Sequence, residues 1–137
     1  MIIDGIKKYF KDCPLLKGGK LNVDYLGEKA VGYSIEPEVC KPIIRQYVDG
    51  TSQKQYIFNF VSREYLDEND LTNLENHEFY EKLEKWISGQ CDKRIYPDLG
   101  DGKAAQHVEC LTHGYSYAQD GKTARYQLQC RVIYLDK

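Results

Sequence analysis

Thr123-Ala124-Arg125-Tyr126-Gln127-Leu128-Gln129-Cys130-Arg131-Val132-Ile133-Tyr134 is the stretch that decides the fold. Ala124, Tyr126, Leu128, Cys130, Val132 and Tyr134 alternate with Arg125, Gln127, Gln129 and Arg131. Successive side chains of an extended chain point to opposite faces, so this is a strand with one buried and one wet face. Upstream of it, Asp120-Gly121 offers a turn that tolerates positive φ, and the chain before that turn is again extended. The spacing predicts two long strands, about 105–118 and 122–135, joined as a hairpin.

Working back, Pro97, Gly100 and Gly102 mark the segment 92–103 as a loop. Before it, Phe79, Tyr80, Leu83, Trp86 and Ile87 form an apolar stripe among Glu78, Glu81, Lys82, Glu84 and Lys85, which predicts an amphipathic helix over 76–89. Gly89 is the expected end, and the polar run from Asp67 supplies candidate N-caps. Ile43–Val48 and Gln53–Arg63 are rich in Ile, Val, Tyr and Phe and flank Asp49-Gly50, a hairpin signal. After Gly18-Gly19, Leu21, Val23 and Tyr25 alternate with polar residues, as do Val31, Tyr33 and Ile35 beyond Gly27, which predicts another hairpin. Ile3, Ile6, Tyr9, Phe10 and Cys13 recur at helical spacing before Pro14, predicting a helix over about 3–12.

The order α-β-β-β-β-α-β-β implies a single α+β domain over 1–137. Its sheet is expected to be largely antiparallel, of about six strands, with the N-terminal and main helices on the face bearing Tyr126, Leu128, Cys130 and Val132. With 42% hydrophobic and 29% charged residues the chain has the composition of a self-folding domain. Nineteen Lys and Arg against 21 Asp and Glu leave a net charge of -2, which gives no overall electrostatic footprint for nucleic acid or anionic lipid. Apolar runs fall far short of the ~20 residues that span a bilayer, and Met1-Ile2-Ile3-Asp4 does not read as a secretory signal. Five scattered cysteines without a Cys-x-x-Cys pair predict reduced thiols rather than a disulfide framework.

Chemistry is sparse. His107, Cys110 and His113 have the look of a metal-ligand run, but on one strand the histidines would stand about 20 Å apart with Cys110 on the opposite face. Only a break in that strand would bring them together. Gly100-Asp101-Gly102-Lys103 lacks both the spacing and the Ser or Thr of a phosphate loop and reads as a turn. Asp67-Glu68-Asn69-Asp70 lacks the glycine and glutamate of a calcium loop. No nucleophile has a base at recognisable spacing, so the expectation is no catalytic residue, no cofactor and no metal. Tyrosine, by contrast, outnumbers phenylalanine twelve to four, and a large apolar ring with a polar tip suits partly buried subunit contacts.

Five segments carry a resemblance: Asn22-Val23-Asp24-Tyr25-Leu26-Gly27-Glu28-Lys29, Tyr47-Val48-Asp49-Gly50, Ser62-Arg63-Glu64-Tyr65, Phe79-Tyr80-Glu81-Lys82 and Thr123–Arg131. Together they resemble a family of small prophage proteins of Gram-positive bacteria, described as minor capsid proteins and similar to phage tail terminators. The resemblance implies a structural protein that forms a closed, six-membered ring with heterologous contacts at the head-proximal end of the tail. It also implies tail-tube and head-connector proteins as neighbours, DNA only in passage, no membrane, and assembly in the host cytoplasm before incorporation at the head-tail junction. On this reading Tyr115, Tyr117, Arg125, Gln127, Gln129 and Arg131 are the candidate subunit contacts. The competing expectation, from another class, is a small cytosolic ligand-binding module or enzyme.

Overall fold

A computed structural model describes residues 2–16, 21–23, 26, 32–65, 70–119 and 123–137. Two helices, α1 (Ile2–Lys11) and α2 (Asp70–Asp92), accompany seven strands in an α+β arrangement. The strands are β1 (Leu21–Val23), β2 (Gly32–Pro37), β3 (Ile43–Gln46), β4 (Ser52–Tyr65), β5 (Lys103–Cys110), β6 (Tyr115–Gln119) and β7 (Thr123–Asp136). They form one sheet in the order β1-β2-β4-β7-β5, with β3 alongside β4 and β6 alongside β7.

β4 and β7 pair antiparallel along their full lengths, from Ser52 opposite Asp136 to Tyr65 opposite Thr123. The alternation in β7 is kept: Ala124, Tyr126, Leu128, Cys130, Val132 and Tyr134 are buried, and the intervening side chains are half-buried on the other face. Both helices cover the apolar face. Ile6, Tyr9 and Phe10 of α1 and Phe79, Tyr80, Leu83 and Ile87 of α2 join Tyr33, Ile35, Phe58, Phe60 and Leu128 in one core. Each of the larger of these side chains contributes roughly 1.5–3 kcal/mol through its removal from water. The helix-facing aromatic rings touch in series, Phe10 with Phe60, Phe60 with Tyr80, and Tyr80 stacked on Tyr126. α1 also lies directly on the loop before β5. A methyl group at Gly5 would sit 1.7 Å from the Asp98 carbonyl oxygen, so only glycine allows that approach.

The predicted hairpin at Asp49-Gly50 is present. Gly50 has φ 92°, Tyr47 N–H donates to the Thr51 carbonyl at 2.8 Å, and the Asp49 carboxylate accepts from Thr51 N–H at 2.9 Å. Gly100-Asp101-Gly102 is a turn, with both glycines at positive φ.

Four expectations are corrected. Leu21–Val23 and the strand containing Tyr33 and Ile35 are not a hairpin: β1 runs parallel to β2, with Leu21 opposite Tyr33 and Val23 opposite Ile35. An alternating pattern records which side is buried and is blind to strand direction. Tyr25 and Val31, which the hairpin reading used, lie outside the described residues, as do Gly18-Gly19, Gly27, Asp67–Asn69 and Asp120-Gly121. The main helix is longer than 76–89, beginning at Asp70 and running through Gly89 to Asp92. Arg94, at φ 58°, takes the left-handed position instead, and Ile95 N–H and Arg94 N–H bond to the Gln90 and Cys91 carbonyls in a Schellman closure. The strand predicted over 105–118 is broken at 111–114 into β5 and β6, both of which pair with β7. The sheet therefore has seven strands rather than about six; it is largely antiparallel, with β1–β2 as its one parallel pair among the described residues.

Candidate functional site

The sheet face turned away from the helices is built by register. Glu36 stands opposite Asn59, which stands opposite Gln129; Ile57 opposes Arg131, which opposes Glu109; Val61 opposes Gln127, which opposes Tyr115. The first row places polar groups of three strands side by side and the other two place polar groups of two, and cross-strand neighbours at this spacing can bond. Arg125 donates to the Glu36 carboxylate at 2.6 Å, with the two side chains only 26% and 27% exposed. Arg131 donates from two nitrogens to the Glu109 carboxylate and from a third to the Gln55 amide oxygen at 3.1 Å. Gln127 donates to the Tyr115 hydroxyl at 3.0 Å, and the Gln129 backbone N–H donates to the Thr112 hydroxyl at 3.1 Å.

Five of the six residues predicted as subunit contacts are thus brought onto or beside one face; Tyr115, Arg125, Gln127 and Arg131 bond within the chain through their side chains, and Gln129 through its backbone N–H. Tyr117 falls at the register shift between Ser116 and Ala118 in β6, and its side chain lies outside the described residues. The sequence reading treated these side chains as anchors in need of partners. It missed that β5, beside β7, and β2, beyond β4, supply the matching carboxylates, because the order of strands in the sheet is not written in any one strand.

The break at 111–114 does occur, and it redirects His113 without gathering metal ligands. His113 Nδ1 lies 3.0 Å from the Glu84 carboxylate on α2, while His107 lies 3.6 Å from Glu109 on the open face. The His77 and Tyr126 rings meet nearly at right angles, with centroids 5.6 Å apart. Among the described residues no three His, Cys, Asp or Glu side chains converge on a point that could hold a metal ion. The break is shaped by packing, since a methyl at Gly114 would meet the Tyr80 ring at 2.4 Å.

Two features escaped the sequence reading. One is a cleft of about 320 Å³ between the C-terminal half of α2 and β5, lined by Glu84, Ile87, Cys91, His107, Glu109 and Cys110, among others. The other is the arm made by β3 and its turn. Val39 and Val48 are fully exposed, and Ile43, Ile44 and Tyr47 are each more than a third exposed. Its signal was legible: Ile43-Ile44 puts adjacent apolar residues on both faces of a short strand, and no helix stripe in the sequence is left over to cover the second face.

No protein-family model and no curated protein matches the chain.

Proposed function

We propose that this chain is a structural subunit of the phage tail-terminator or head-tail joining type, which acts by assembling into a closed ring at the head-proximal end of a tail. The observation that supports the reading is the β3 arm. Five large apolar side chains stand more than a third exposed within residues 39–48, on both faces of the arm, and a concentration of exposed apolar residues of that kind marks an interaction site. The outer edges of β3 and β5, at opposite sides of the sheet, pair with no strand among the described residues. Opposite, non-identical surfaces are what a heterologous contact needs, and a heterologous contact that closes makes a ring. The role is mechanical: the subunit binds copies of itself, tail-tube and connector proteins, and lets DNA pass.

Mass measurement of the purified protein, alone and mixed with tail tubes, together with electron microscopy of the mixture, tests the proposal. Six-membered rings at tube ends are expected. A protein that stays monomeric at high concentration in both conditions would overturn it.

A second reading, a small ligand-binding module, is favoured by the α2–β5 cleft, whose volume lies at the lower end for small-molecule sites. Saturable binding of a small molecule that protects Cys91 and Cys110 from alkylation, with no assembly, would support it.

A further inference from the structure

We propose that Cys110 and Cys130 are a redox pair, forming a reversible disulfide between β5 and β7. The inference does not depend on the ring-forming role. Cys110 stands directly opposite Cys130 in the antiparallel ladder. The ladder bond beyond them runs from Leu111 N–H to the Gln129 carbonyl at 2.7 Å, which makes the two cysteines a non-hydrogen-bonded pair. In such a pair the Cα atoms approach to about 4.5 Å with side chains on the same face, inside the range of about 4.4–6.8 Å that a disulfide spans.

The two sulfurs differ in access. Cys130 is fully buried in the core, whereas Cys110 is partly exposed at the wall of the α2–β5 cleft. The neighbouring Cys110 thiol, and then burial, hold the Cys130 thiol well above the usual thiol range, and Cys110 is the sulfur that the cleft leaves open, so the first attack falls to Cys110. With a hydroperoxide as oxidant, the Cys110 sulfur attacks the outer oxygen. An S–O bond forms, the O–O bond breaks, and an alcohol or water leaves. The Cys130 sulfur then displaces water from the sulfenic acid as the S–S bond forms. Two thiols and one hydroperoxide give one disulfide, one alcohol and one water, and the two sulfurs supply the two electrons. A reducing compartment keeps the pair open, and an oxidising one closes it. Cys91 is the competing thiol in the same cleft, and it is held by donation to the Val108 carbonyl at 3.0 Å.

The test uses the full chain exposed to hydrogen peroxide, followed by peptide mapping without reduction. A linked peptide joining Cys110 to Cys130 is expected, opened again by dithiothreitol. Because the closed loop spans the break and β6, the oxidised protein should melt higher by on the order of 5–10 °C. Cys110→Ser should abolish both the link and the shift while melting like reduced wild type, and Cys91→Ser should leave both intact. A Cys91–Cys110 link, or Cys110 oxidised to sulfinic acid with Cys130 still free, would overturn the proposal.

Discussion

The helix-covered half of the sheet and the β3 arm are made from the same residue types and differ in what covers them. Phe58 and Phe60 of β4 are fully buried under α1 and α2, whereas Ile44, on the strand that pairs with the other end of β4, is 45% exposed. The half under the helices is a finished core. The arm is an exposed apolar surface, and the proposed ring contact rests on that contrast.

The largest effect is expected where the finished core is charged. Leu128→Asp would place an unpaired carboxylate at a fully buried position and cost on the order of 5 kcal/mol, comparable to a domain's whole stability. Circular dichroism should show an unfolded or aggregated protein. A soluble variant with unchanged Tm would show that the helices do not seal this face.

Alkaline pH probes the same core. Burial pushes the Tyr9 and Tyr80 phenols above their ordinary range. The folded chain therefore keeps protons that the unfolded chain releases from about pH 10 upward, so this stability is intact below that pH and is lost as pH rises through the folded values. Unfolding should precede complete phenolate absorbance. Ionisation of all twelve tyrosines before any loss of circular dichroism would contradict it.

The open face should respond less. Arg125→Glu with Arg131→Glu sets new carboxylates against Glu36 and Glu109 and should cost about 1 kcal/mol at each site, read as a lowered urea midpoint. An unchanged midpoint would mean that these pairs contribute nothing to the stability of the chain.

Stability should change least in the arm. Val48→Asp alters a fully exposed side chain and is expected to shift stability by no more than about 0.5 kcal/mol, yet to abolish ring formation. Unaltered rings from this variant would move the subunit contact away from the arm.

Much of the fold was legible residue by residue. The alternation from Ala124 to Tyr134, the stripe from Phe79 to Ile87 and the Asp49-Gly50 turn each report a local fact: which side of its own backbone is dry, or which φ it must adopt. Those facts were enough for two helices on one face of a sheet. They could not show that β1 runs parallel to β2, since an alternating strand reads the same in either direction. Nor could they show that Arg94 rather than Gly89 closes α2, that Gly114 seats against Tyr80 and breaks the strand, or that Glu36 and Glu109 already hold Arg125 and Arg131. The same holds for Cys110 opposite Cys130. Each of these depends on which distant segment arrives beside a residue, and strand order and helix placement are settled by packing the whole chain at once.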